Sequence, residues 1–150
     1  MSEILNRLPE FVGNHPFLSL GFIGVLVAII ASEVGRLTRG YKALTPAGLT
    51  QLINRDNALL IDVSSIQDFE QGHIAGARHV AMSQFDPENK DLAKARELPV
   101  AITCKTGQTS ATAAKRLKKA GFTDVYTLDG GLRSWTEAQL PLAKGRNSGK

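Results

Sequence analysis

The sequence predicts an α/β fold, a rhythm of strands and helices that builds a mostly parallel central sheet flanked by helices, preceded by one N-terminal transmembrane helix. From Tyr41 onward, short apolar β-like runs alternate with helical patterns, as parallel strands joined by crossover helices require. The runs ALLIDV (58–63) and PVAIT (99–103) are almost wholly apolar, which suits strands covered on both faces. Ahead of them no formally charged residue occurs from Phe11 to Ser32, a stretch of 22 residues. As a helix rising about 1.5 Å per residue it would span about 33 Å, close to the ~30 Å hydrocarbon core of a bilayer.

The 150 residues, 43% hydrophobic and 21% charged, fit one domain with an appendage and exclude collagen-like, disordered and multidomain chains. The 18 basic and 14 acidic side chains leave a net charge of +4, short of the basic stripe of a dedicated nucleic-acid binder, so nucleic acid is not an expected partner. Cys104 is the single cysteine. It can form neither an internal disulfide nor a cysteine-rich zinc site, and the three scattered histidines show no ligand spacing, so no metal or other cofactor is expected. A free thiol fits a reducing compartment.

Taken in order, Ile4, Leu8, Phe11 and Val12 recur at helical spacing, so residues 1–13 form a short amphipathic segment suited to lie on a membrane surface. The transmembrane helix, residues 14–35, takes Asn14 as N-cap and Pro16 in its first turn, where the missing N–H has no intrahelical partner. The alternatives are a buried core helix, which a domain this small wraps poorly, and a cleaved signal peptide. Against the second, only Arg7 precedes the run, offset by Glu3 and Glu10, with no clear small-x-small site. One basic residue before the span (Arg7) and three after it (Arg36, Arg39, Lys42) place the C-terminal domain in the cytoplasm. Gly24, Ala28 and Ser32, spaced by four, form a small-residue seam suited to a membrane protein partner.

A basic linker, 36–42, leads into a domain at 43–142. Thr45-Pro46 opens a helix with Leu49, Leu52 and Ile53 on its apolar face. The first strand is 58–63, Ser65 caps a short helix ended by Gly72, and 78–82 is a short strand. A charged, poorly periodic stretch of loop and helix, 83–97, leads to the strand 99–103. A helix from Ser110 to Ala120 is closed by Gly121, 125–128 is the last strand, and Gly130-Gly131 turns into a helix that carries Trp135 and ends at Pro141. The tail 143–150 reads as disordered basic residue.

Cys104 stands where the strand 99–103 stops and a helix is about to begin. In open α/β sheets ligands bind outside the carboxyl ends of strands. The residues after it, Lys105, Thr106, Gly107, Gln108 and Thr109, can aim successive backbone N–H groups at one point. The helix beginning at Ser110 adds its positive end. With Lys105 as a nearby cation, this setting favours a thiolate that attacks a soft electrophile without a separate base. The competing reading is a small buried hydrophobe. His73 reads as a hydrogen-bonded loop residue, and Asp62 as a carboxylate that fixes backbone groups near the loop.

Three segments carry a resemblance: LIDVSSIQDFEQGHIAGARHV (60–80), ITCKTGQTS (102–110) and DGGLRSWTEAQLPL (129–142). In their order and spacing they resemble the rhodanese-like domain from about Ala43 to Leu142, and the hydrophobic N-terminus resembles the family's membrane-anchored bacterial subgroup. The resemblance implies a sulfurtransferase in the bacterial inner membrane, single-pass with a cytoplasmic domain. Cys104 would take a sulfane sulfur from a small anionic donor such as thiosulfate and pass it to a thiophilic acceptor such as cyanide or a protein thiol. It further implies that residues 105–109 bind the outer sulfur, with Asp62 and Ser110 in support. The six-residue loop from Cys104 to Thr109 has the length of sulfur-handling members, and Ser110 stands where tyrosine-phosphatase chemistry needs an arginine. The chain departs from the family at Ser64, where arginine is frequent, at Asp68, where glutamate is, and at Thr106, where a second cation occurs. The alternative function is a non-catalytic or redox-sensing module of this fold that binds a membrane protein partner.

Overall fold

The computed structural model describes residues 2–55 and 57–146. They form two units, Met1–Arg39 and Gly40–Lys150, each with its own internal contacts. The first consists of α1 (Ser2–Asn14) and α2 (Pro16–Leu37). Asn14 is the last residue of α1, and the N-cap of α2 is His15, with Pro16 at the first helical position. The expected cap is therefore displaced by one residue, because the Asn14 backbone is already helical while the proline keeps His15 out of the helical region, at φ −132° and ψ 62°. α2 is 22 residues long and holds an 18-residue window of mean hydropathy 2.3 with none of it buried, so it is long and apolar enough to cross a membrane. Leu8, Phe11 and Val12 of α1 and Leu18, Phe22 and Ile23 of α2 line an apolar groove of about 500 Å³.

The second unit is a five-stranded parallel sheet in the order β1-β5-β4-β2-β3. The strands are β1 (Lys42–Leu44), β2 (Leu59–Asp62), β3 (Arg78–His79), β4 (Val100–Thr103) and β5 (Val125–Leu128). Every residue of β4 is buried, as its apolar run requires of a central strand. β1 was not legible as a strand, since three residues at a sheet edge, two exposed and one half-buried, carry no alternation. The strand expected at 78–82 is two residues long; Met82–Gln84 turns as a 3₁₀ helix instead.

Helices α3 (Pro46–Arg55), α4 (Ile66–Gln71), α5 (Lys90–Ala93), α6 (Gln108–Lys119) and α7 (Gly131–Glu137) cover the two faces. Thr45 Oγ1 accepts from Gly48 N–H at 3.2 Å, and Ser65 Oγ from Asp68 N–H at 3.1 Å, so both expected caps are made. One core joins Ile61, Val63, Val100 and Ile102 to Ala113, Ala114 and Leu117 of α6. The other joins Leu60 and Ala101 to Leu49 and Leu52 of α3, Phe69 of α4, and Leu132 and Trp135 of α7. Adjacent strand residues serve opposite faces, the two-residue period of a sheet.

The tail differs from expectation. Ala143 exchanges two backbone hydrogen bonds with His73, at 2.9 and 2.8 Å, Gly145 N–H donates to the Glu70 carbonyl at 3.0 Å, and Arg146 pairs with Glu70. Residues 143–146 are thus tied to the end of α4, and 147–150 lie outside the described residues. Leu117 is fully buried between α6 and the sheet, so Leu117→Ala is expected to lower the unfolding free energy by about 3 kcal/mol in urea titration.

Candidate active site

The thiol is held by its own loop. Cys104 follows β4 at its carboxyl end and is 2% exposed. Gly107 N–H donates to Sγ at 3.0 Å and Ser110 N–H at 3.4 Å. The Ser110 hydroxyl oxygen lies 3.5 Å from Sγ and donates to the Gly107 carbonyl at 2.9 Å, which closes the loop. α6 begins at Gln108, two residues earlier than expected, with Gly107 as N-cap at φ +92°. Only glycine adopts that conformation without strain. Gln108 and Thr109 therefore belong to the first turn of α6, and the N–H of Ser110, in that same turn, serves the sulfur.

The segment after β5 completes this arrangement and was not singled out as part of the site from sequence. Leu132 N–H donates to the Cys104 carbonyl at 2.9 Å, and Arg133 N–H to the Lys105 carbonyl at 3.3 Å. First-turn N–H groups of α7, which have no partner within their own helix, are thereby satisfied. Gly131, at φ +64°, makes the approach possible: a Cβ there would lie 2.5 Å from the Cys104 oxygen, 2.7 Å from Gly107 N and 2.8 Å from the Lys105 oxygen. The Gly130-Gly131 pair was the available signal, read only as a turn.

Lys105 is exposed, and its ammonium pairs with Asp68 at 2.9 Å. Asp68 Oδ2 also accepts from the Ser65 hydroxyl at 2.8 Å. The Lys105 contact first, and then Ser65, hold the Asp68 carboxyl below its ordinary value. Beside this pair opens a cleft of about 360 Å³ lined by Lys105, Thr106, Leu132, Arg133 and Leu142, among others. Arg133 pairs with Glu137 at 3.1 Å on its rim.

Asp62 lies elsewhere. It is fully buried, and its Oδ1 accepts from the N–H and hydroxyl of Ser64. It fixes the turn after β2 and makes no hydrogen bond to residues 104–110 among the described residues. Burial is the main cause that pushes its carboxyl up, against the Ser64 hydrogen bonds and the charges of His79 and His73. His73 stacks on Phe69 with ring centroids 3.8 Å apart, and its Nδ1 donates to the Phe69 carbonyl at 2.7 Å. That geometry makes it a structural residue. Among the described residues no group of three or more His, Cys, Asp or Glu side chains converges as metal ligands would.

The chain is similar to known proteins over most of its length. A family model described as the rhodanese-like domain matches residues 45–138. The uncharacterised protein YibN of Escherichia coli K12 is 34% identical over 143 residues, 95% of this chain and 100% of that one. The thiosulfate sulfurtransferase GlpE of Pseudomonas putida F1 is 35% identical over 98 residues, 63% of this chain and 84% of that one. Among solved structures, a rhodanese-related protein from Thermoplasma volcanium superposes with a TM-score of 0.59 at 25% identity, covering 69% of this chain and 98% of that one.

Two predictions follow from the geometry of the site. Gly131→Ala is expected to displace the loop and to cost about 2 kcal/mol or more of stability by calorimetry. Gly130→Ala, at φ +75° and with a Cβ that would meet chiefly the Ser134 side chain, at 3.0 Å, is also strained, and is expected to cost stability while it leaves the thiol's environment intact by cysteine-labelling rate. Because the folded pKa of Asp62 is raised from 3.8, the stability linked to its proton is present below that value and lost as pH rises through the folded pKa. Urea titrations are therefore expected to show Asp62→Asn gaining stability relative to the wild type as pH rises above 3.8.

Proposed function

The chain belongs to the rhodanese-like family, and on that premise we propose that it is a membrane-anchored sulfurtransferase working through a persulfide on Cys104. Sulfurtransferase-type activity is supported at the level of the family, which includes thiosulfate sulfurtransferases among the relatives of this chain. The observation that carries the finer reading is the pair of N–H donors, from Gly107 and Ser110, aimed at one sulfur at a strand's carboxyl end.

In the proposed reaction the Cys104 thiolate attacks the outer sulfur of thiosulfate. The S–S bond of the donor breaks, sulfite leaves with the electron pair, and a cysteine persulfide forms. Its outer sulfur stands about 2 Å beyond Sγ, within the N–H cradle of residues 105–110, which stabilises its negative charge. A second nucleophile, cyanide or a protein thiolate, attacks that sulfur, takes it up, and returns the electron pair of the broken bond to Cys104. Lys105 attracts the anionic donor. Its ion pair with Asp68 is a surface contact of little net strength, which an anion at the loop displaces at small cost.

The anchor is α2, uncleaved and single-pass, with the domain in the cytoplasm of a bacterium. Its length, its hydropathy and the excess of Arg36, Arg39 and Lys42 over Arg7 support this reading. α1 lies on the outer surface, its Ile4, Leu8, Phe11 and Val12 turned to lipid. The Gly24, Ala28 and Ser32 seam is open to a membrane protein partner, since a Cβ at Gly24 meets nothing within 4 Å.

The test is intact mass after incubation with thiosulfate. The wild type is expected to gain one sulfur atom, removable by cyanide, and Cys104→Ser to gain none. An accessible thiol that stays unmodified by thiosulfate and by other sulfane donors would instead favour the non-catalytic binding module.

A further inference from the structure

We infer that the face of the domain opposite the thiol is a docking surface for anionic lipid, an inference that rests on the reading of α2 as a membrane span. Four connections lead into β1, β2, β4 and β5 at the amino ends of these parallel strands, and the carboxyl ends of α3 and α6 reach the same side. Five cations stand there among the described residues, Lys42, Arg55, Arg96, Lys118 and Lys119, against the acids Glu97 and Asp124, with Asp86 and Glu88 lining a pocket beside Lys119 and Arg116. None of these five cations forms an ion pair among the described residues, whereas Lys105, Arg133 and Arg146 each have a carboxylate partner.

The part of this face between the end of α6 and Arg96 is continuous. Lys118 Nζ donates to the Thr123 carbonyl at 2.9 Å, and Thr123 in turn donates to the Arg96 carbonyl through its N–H at 3.3 Å and its hydroxyl at 3.2 Å. The end of α6 is thus bound to the turn that carries Leu98. That residue is 42% exposed beside these cations, an apolar side chain where a lipid surface would receive one.

Covalent reach brings this face to the bilayer. Gly40 follows the last residue of α2 by three positions, so the chain takes it no further than about 10 Å from the end of that helix. A Cβ at Gly40 would lie 3.4 Å from Lys118 Cε, so the point where the chain joins the domain is on the basic face itself. Each cation close to an anionic leaflet adds to the attraction within about one Debye length, and the tether supplies a high effective concentration. Cys104 lies six positions beyond Leu98 along β4, about 20 Å away at about 3.3 Å per residue. The docked domain therefore turns its thiol toward the aqueous side, and donor and acceptor reach it from there.

The experiment is hydrogen exchange on the full chain in lipid nanodiscs, of phosphatidylcholine alone or with phosphatidylglycerol. Incorporation into discs is itself the test of the anchor, so failure of that reading is seen separately. In incorporated protein, exchange of residues 96–98 and 121–124 is expected to slow on the order of tenfold in anionic discs relative to neutral ones, with no change at 104–107. High salt and the double variant R96E/K119E are expected to abolish the difference, while sulfur loading of Cys104 in detergent stays at the wild-type level and reports that the variant is folded. Equal exchange in neutral and anionic discs, or slowing centred on residues 104–107, would overturn the inference.

Discussion

Two backbone hydrogen bonds, from Leu132 N–H to the Cys104 carbonyl and from Arg133 N–H to the Lys105 carbonyl, set the geometry on which the thiol site depends. In a trans peptide the N–H points away from the carbonyl of the same unit. Drawing the carbonyls of Cys104 and Lys105 onto the first turn of α7 therefore turns the N–H groups of Lys105 and Thr106 away from that helix. The N–H of Gly107 points back to Sγ, and the positive φ of that residue lets the chain turn from this peptide into α6. Gly131 is the steric condition for the whole arrangement, since any side chain there collides with three backbone atoms of the loop. The nucleophile belongs to one connection of the sheet, but its cradle is shared between two.

The two faces of the sheet divide the polar burden. Cys104 packs on the α6 side with Ile102 and Ala113, while Asp62 and His73 are buried away from it. Asp62 and Thr103 are register partners on β2 and β4. Asp62 Oδ2, His73 Nε2 and Thr103 Oγ1 are buried side-chain atoms without a hydrogen-bond partner among the described residues. Such atoms cost about 1–3 kcal/mol each, a burden that the two apolar cores offset.

Charge is arranged along the strand direction in the same way. At the carboxyl ends, Lys105 and Arg133 are each balanced by an acid, Asp68 and Glu137. The cleft they border, with Leu132 and Leu142 in its lining, therefore carries no large net field, and selectivity for a small anion rests on the N–H groups more than on free cations. At the amino ends Lys42, Arg55, Arg96, Lys118 and Lys119 form no ion pair among the described residues. A parallel sheet makes this separation easy, because every crossover helix returns the chain to the same end.

The sequence by itself determined the elements whose signal is local. The apolar runs of β2, β4 and β5, the capping residues Thr45 and Ser65, and the span of α2 follow from hydrophobic periodicity and cap chemistry, which act within a few residues. The position of Cys104 at a strand end, and the loop from Lys105 to Gly107, were legible for the same reason, while the helix was placed two residues late at Ser110 instead of Gln108. Tertiary structure alone decided the rest. β1 exists because β5 offers it an edge, and the tail to Arg146 is ordered because His73 and Glu70 bind it. Asp68 meets Lys105 across 37 positions of sequence, and Gly131 meets Cys104 across 27. Contacts of this kind arise when packing of the two cores brings distant turns together, and no local pattern of residues encodes the distance between them.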